Sequence, residues 1–304
     1  MAFTEYAAPV FAHLRGVYGV SGQDFRASFR EGRKLLTLAS NSKSPQRFFF
    51  TEDGRYLIKT ASESELSSLM RLLPTYTEHM RHHRGSLITR FMGVYRVTDA
   101  KTRRSTVFVV SSNVFATRKR IRERYDLKGS SVGRQASVSH KAKPTAVLKD
   151  LDLEGSGSRV GLGVGAKKGL MKQLRCDTDL LAGLDLMDYS LLVGIHQPPR
   201  AFLVRCVRVV VKPVWAVGCF LLGLLPGKGL PSGGNGGVRD GVYAGKAPGS
   251  VVYVGVIDVL QRYNLRKDLE TRAKGVIHDK HAISSVPPTE YRERFLRFVD
   301  RNVE

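Results

Sequence analysis

Residues 185–196 read Asp185-Leu186-Met187-Asp188-Tyr189-Ser190-Leu191-Leu192-Val193-Gly194-Ile195-His196. Asp188 stands among apolar residues, directly ahead of the strand-like run 191–195. A carboxylate there is costly to bury unless it is ion-paired, hydrogen-bonded or bound to a metal. Taken alone it reads as a helix cap or a turn residue opening a strand. A second stretch poses the same problem. Residues 251–260, VVYVGVIDVL, form a buried-strand pattern interrupted by one carboxylate, Asp258, flanked by Val256, Ile257, Val259 and Leu260. A turn Asp is a poor explanation in that setting.

The surrounding composition bounds what such carboxylates serve. At 304 residues with 42% hydrophobic content, the chain is long enough for a real core and fits a globular enzyme better than a disordered protein. Charge is the outlier: 49 Lys and Arg against 27 Asp and Glu give a formal +22. Such a chain attracts polyanions, either nucleic acid or the anionic cytoplasmic face of a membrane. No zinc-finger spacing, RNP-like aromatic motif or helix-turn-helix signature supports nucleic acid, so none is expected as partner. Three scattered cysteines, Cys176, Cys206 and Cys219, imply neither a disulfide framework nor a metal cluster, and they agree with a reducing compartment. No secretory signal or lipidation motif is read at the ends.

Residues 1–30 suggest an amphipathic helix carrying Val10, Phe11, Leu14 and Val17, then a short second helix capped through Ser21 and Asp24. Residues 35–60 suggest a β-hairpin: an aromatic strand at Phe48, Phe49 and Phe50, a turn at 52–55, and a second strand at 55–60 that carries Lys59. A helix is expected over 63–80, with Glu65 in its first turn, where a carboxylate is favoured by the dipole. Two strands follow at 87–97 and 106–113. Five of the seven residues 118–124 are basic, and they lead into Tyr125-Asp126-Leu127-Lys128-Gly129-Ser130-Ser131-Val132-Gly133-Arg134. Small residues there let a backbone approach an anion, while Lys128 and Arg134 supply charge. Residues 155–168 and 198–250 read as flexible insertions. The Gly161–Gly165 run lacks the strand and helix of a dinucleotide site. The apolar run 207–225 is interrupted by Arg208, Lys212 and Pro213, which leaves it too short to span a membrane but compatible with an interfacial segment. A helix over 169–184 and a closing helix over 287–303 complete the pattern.

The order of LIKT around Lys59, DLKGS around Lys128, MDYSLLVGIH around Asp188 and VID at Asp258 resembles the phosphatidylinositol-phosphate kinases. The resemblance covers 3–155, 169–197 and 251–303, and implies an α+β, antiparallel-sheet lipid kinase fold distantly like protein kinases. An N-terminal lobe would hold 1–115 and a C-terminal catalytic lobe 116–304. It assigns Lys59 to the ATP phosphates, Glu65 to an ion pair with Lys59, Asp258 to Mg²⁺, and Asp188 to orienting the inositol hydroxyl and taking its proton. Lys128 and Arg134 would bind phosphate on the headgroup or the transferring group. Residues 264–285 correspond to the activation loop, where Glu270 falls on the position that resembles type I enzymes, with Lys274 at a matching Lys. That implies phosphatidylinositol 4-phosphate as substrate, the 4,5-bisphosphate as product, and peripheral association with the inner face of the plasma membrane. A homodimer stays open.

Two departures stand against the pattern. Ser44-Pro45-Gln46-Arg47 replaces the usual Ser-Gly-Ser of the nucleotide loop, which leaves a membrane-binding pseudokinase as the first rival reading, with a nucleic-acid-binding protein driven by charge alone as the second. Val193 occupies the position five after Asp188, so the metal-binding Asn of protein kinases is absent, which is consistent with a lipid kinase and inconsistent with a protein kinase.

Overall fold

The computed structural model describes residues 2–38, 46–198, 241–263 and 286–304. Ten strands and seven helices are found among them, the strands in two antiparallel sheets. The six-stranded sheet is built from β1 (Ala2–Tyr6), β2 (Leu35–Leu38), β3 (Phe48–Thr51), β4 (Tyr56–Ala61), β5 (Phe91–Thr98) and β6 (Ser105–Ser112), in the order β1-β5-β6-β4-β3-β2. The four-stranded sheet is built from β7 (Glu123–Leu127), β8 (Ser190–His196), β9 (Val242–Ala244) and β10 (Val251–Ile257), in the order β7-β8-β10-β9. The first sheet thus uses only residues before 113 and the second only residues after 122.

Helices α1 (Ala8–Val17) and α2 (Gly22–Ala27) match the expected pair, and the Ser21 side chain does accept the Asp24 N–H as its cap. The strand ahead of them was not expected. Ala2–Tyr6 is mostly exposed and carries little alternation, so only its pairing with β5 marks it as a strand. The hairpin expected over 35–60 also gains a third strand, with Leu35 opposite Thr51.

Helix α3 (Glu63–His82) buries Leu66, Leu69, Leu72, Leu73, Tyr76 and Met80 at helical spacing. Short helices α4 (Val138–Lys141) and α5 (Asp150–Gly155) precede α6 (Val164–Gly183), which starts five residues before its expected beginning. The chain closes with α7 (Pro288–Asn302), which packs against α6. One continuous core joins the elements of both sheets, from Phe11 and Leu14 of α1 to Phe295 and Val299 of α7.

The glycine-rich residues expected to form a flexible insertion at 155–168 are in fact tied down. Val160 and Leu162 are buried, and Val160 exchanges backbone hydrogen bonds with the C-terminal Asn302–Glu304. The last part of the insertion expected to be flexible at 198–250 is also tied down, with Val242–Ala244 paired to β10 as β9, while its residues 199–240 lie outside the described residues. So do the interfacial run 207–225, residues 39–45 of the nucleotide loop, and the activation loop 264–285 with Glu270 and Lys274. No helix among the described residues is long and apolar enough to cross a membrane.

Candidate functional site

Alternation along β4 places Tyr56 and Ile58 in a core cluster and sends Lys59 to the opposite face. The next residue of consequence, Ser62, caps α3. Its hydroxyl accepts the Glu65 N–H at 3.2 Å, and Glu65 in turn accepts the Ser62 N–H at 2.8 Å. This reciprocal capping box fixes Glu65 one turn into the helix, where its Oε1 lies 3.1 Å from Lys59 Nζ. Gln46 donates to both carboxylate oxygens of Glu65, at 3.0 and 3.1 Å. Burial pushes the Glu65 carboxyl up, but the Ser62 N–H and the Lys59 charge outweigh it and hold the group below the usual carboxylate range. The pair expected from the sequence is therefore in place.

The two aspartates arrive from the second sheet, and Asp258, expected within a buried strand, instead stands in the turn just past the end of β10. Strands β8 and β10 pair with Ser190 opposite Ile257, so Asp188, two residues before Ser190, and Asp258, one residue after Ile257, come off the same end of the pair. Both have left-handed backbones, with φ of 61° and 60°, a conformation that Asp tolerates better than most residues. Backbone hydrogen bonds hold the two turns together: Met187 N–H donates to Gln261 O at 3.0 Å, and Tyr263 N–H to Asp185 O at 2.8 Å. Lys59 Nζ reaches across from the first sheet to within 3.5 Å of Asp258 Oδ1.

Lys128, at the end of β7, lies 2.8 Å from Asp188 Oδ1. Its turn is organised from beneath by Asp150, which has no exposed surface. Asp150 Oδ1 accepts the N–H groups of Lys128 at 2.8 Å and Gly129 at 2.7 Å, while Oδ2 accepts Arg134 Nε at 2.6 Å. Arg134 also donates to the Asp126 carbonyl and, at 2.8 Å, to its carboxylate. Two of its guanidinium nitrogens are thus spent inside the protein, and the residue is only 8% exposed. The structure places Arg134 as the clasp of the Lys128 turn, a position distinct from that of an open phosphate ligand.

Gly129 is required here for two reasons. Its φ is +69°, and a Cβ on it would come within 3.0–3.1 Å of Phe298 Cβ, Arg294 O and Phe295 Cα on α7. From the same helix Tyr291 donates to the Tyr189 carbonyl and packs edge-on against the Tyr189 ring. Burial, reinforced by the Asp188 charge, pushes the Tyr291 hydroxyl well up. The helix closes the floor beneath Asp188.

Lys59, Glu65, Asp258, Asp188 and Lys128 therefore stand in one line of charge spanning both sheets. The donor set also fits a hard divalent cation. Asp258 is half exposed, and magnesium characteristically binds through one or two carboxylates together with phosphate oxygens and water. Held by Asp258, such an ion would neutralise phosphate charge. Sequence reasoning missed Asp150, Gln46 and Tyr291. Only Asp150 carried a signal: it lies within the family-like stretch 3–155, but its burial depends on N–H partners some twenty residues away.

Fold and site define a mixed α/β protein whose two antiparallel sheets meet at two lysines and three carboxylates. The family described as Phosphatidylinositol-4-phosphate 5-Kinase matches residues 30–202 and 234–302. That match runs through 155–169, where the sequence alone suggested no counterpart, and breaks inside the expected insertion at 198–250. The chain is 34% identical over 343 residues to a Dictyostelium discoideum protein named "Probable phosphatidylinositol phosphate kinase" (99% of this chain, 48% of that protein). It is 32% identical over 360 residues to phosphatidylinositol 4-phosphate 5-kinase 9 of Arabidopsis thaliana (98% and 43%). Identity is 33% over 317 residues to phosphatidylinositol 5-phosphate 4-kinase type-2 alpha of Gallus gallus (98% and 77%). The chain belongs to the phosphatidylinositol phosphate kinase family. It spans less than half the length of the Dictyostelium and Arabidopsis relatives.

Proposed function

We propose that the chain transfers the γ-phosphate of ATP to the inositol ring of phosphatidylinositol 4-phosphate, giving the 4,5-bisphosphate. The observation that carries this reading is the shared end of β8 and β10, which sets Asp188 and Asp258 side by side and brings Lys59 to one of them and Lys128 to the other. Phosphoryl transfer asks mainly for positioning and charge neutralisation.

In this reading Lys59, held by Glu65, binds ATP phosphates, and Asp258 is the residue for magnesium. The inositol hydroxyl oxygen bonds to the γ-phosphorus as the bond to the β–γ bridging oxygen breaks. ADP leaves, and Asp188 takes the hydroxyl proton. Lys128 supports the phosphate that faces Asp188. A formal charge of +22 suits work on an anionic bilayer, the cytoplasmic face of the plasma membrane, at about 1 kcal/mol per well-placed cation.

Relatives of both specificities stand at similar identity, so the choice of lipid isomer rests on Glu270 at the type I position. The test is phosphorylation of phosphatidylinositol 4-phosphate and of the 5-phosphate isomer in mixed vesicles, with the product isomer identified. Preference for the 4-phosphate lipid, shifted toward the 5-phosphate lipid by Glu270→Ala, is expected. A wild-type preference for the 5-phosphate lipid contradicts the isomer assignment, and phosphorylation of neither lipid contradicts the activity.

A further inference from the structure

Away from the charged line, the C-terminal end of α3 crosses α6. His79 in the last turn and His83 at the C-cap lie four residues apart, on one face of the helix. Cys176 of α6 meets them, its Sγ 3.5 Å from His83 Nδ1 and 3.6 Å from Nε2. The two imidazole rings lie 4.6 Å apart, and one donor atom from each of the three residues falls within 4.8 Å of the others.

Beneath them sits Asp177, fully buried. Its Oδ1 holds His79 Nε2 at 2.8 Å and accepts Gln173 Nε2 at 2.9 Å, while its Oδ2 accepts the Leu87 N–H at 2.7 Å. A buried His–Asp pair is by itself an ordinary tertiary hydrogen bond. It does not account for a second imidazole and a thiol gathered at the same place.

We propose that His79, His83 and Cys176 form a binding site for a divalent transition metal of the zinc class, with Asp177 orienting His79. The chemistry fits in three respects. A neutral His79 that donates Nε2–H to Asp177 keeps its lone pair on Nδ1, the arrangement by which metal-bound imidazoles are fixed. Bond lengths of about 2.3 Å to sulfur and 2.0–2.1 Å to nitrogen put the two donors roughly 3.5 Å apart across a tetrahedral angle; Cys176 Sγ stands at that range from both His83 nitrogens, over the ring, so binding requires the exposed His83 to turn one nitrogen lone pair toward the ion. Imidazole and thiolate select zinc, cobalt or copper over magnesium, so this site and Asp258 draw different ions. His83 is exposed and offers the way in. Counting cysteines could not reveal such a site, because its histidines come from 93 and 97 residues earlier in the chain. A bound ion would fasten α3, whose first turn carries Glu65, to α6.

The test is cobalt titration of the full chain, freed of metal by chelator, read by the thiolate-to-cobalt charge-transfer band. One cobalt per chain with that band is expected. Cys176→Ser should abolish the band, His83→Ala should weaken binding at least tenfold, and Cys206→Ser with Cys219→Ser should leave both unchanged. Thermal melting serves as the second readout: zinc should raise the Tm of the wild type and not that of Cys176→Ser. Absence of the band in the wild type, its survival in Cys176→Ser, or an equal zinc-induced Tm rise in both proteins overturns the proposal.

Discussion

Lys128 Nζ stands 2.8 Å from Asp188 Oδ1, an oxygen with no exposed surface that receives no well-directed hydrogen bond. The contact is one of charge, holding a cation over the carboxylate assigned to the proton. Removing it should therefore cost the chemical step more than nucleotide affinity. Lys128→Met is expected to lower lipid phosphorylation by about 10²-fold, the scale of one lost electrostatic donor, with little change in MgATP binding by calorimetry. A parallel fall in MgATP affinity would move Lys128 to the nucleotide.

Lys59 and Asp258 meet at 3.5 Å although 199 residues separate them. Each is assigned to the triphosphate, Lys59 directly and Asp258 through magnesium. Lys59→Met and Asp258→Asn should each weaken MgATP binding and turnover together. Calorimetry that finds normal MgATP affinity in either variant removes that residue from the assignment.

Asp150 has no role at the reacting atoms, yet it collects two backbone donors and the buried Arg134. Substitution by Asn leaves Arg134 with one carboxylate partner in place of two. Breaking a buried pair costs about 3–5 kcal/mol, so Asp150→Asn should lower stability in chemical denaturation by about 3 kcal/mol. A loss below about 1 kcal/mol would mean that Asp126 alone satisfies Arg134.

What could be read in advance follows from how local each signal is. The Lys59 strand, the Glu65 helix start and the Asp258 strand announce themselves within a few residues, by apolar alternation, a Ser-x-x-Glu box and an apolar run around one carboxylate. The family-like spacing of the motifs then gave those residues roles. Asp150 drew no role and Arg134 was given a phosphate in place of its carboxylate partners, because the contacts that bury both residues join β7 to α5. β1 was invisible for the same reason, being an exposed strand defined by partners more than 80 residues away. Glycine density misled at 155–168, where Val160 and Leu162 pack inside and pair with the C-terminus.

Glu65 also predicts a pH dependence. Its folded carboxyl titrates below its ordinary value, so its stabilisation is fully present above the unfolded pKa of about 4.3 and is lost as pH falls through the lower folded value. Wild type should be more stable than Glu65→Gln at neutral pH, and the gap measured by denaturation should close on acidification below about pH 4.3. A gap that stays constant down to full protonation would show that packing of the α3 start, rather than charge, sets the contribution of Glu65.

Asp188→Asn tests the central claim most directly, because the variant keeps the turn and removes the carboxylate that takes the proton and faces Lys128. Lipid phosphorylation and MgATP calorimetry are measured on the same preparation. Turnover should fall by about 10²–10⁴-fold, the contribution of a positioned general base, while MgATP binds as it does to wild type. Turnover near that of the wild type would contradict the account.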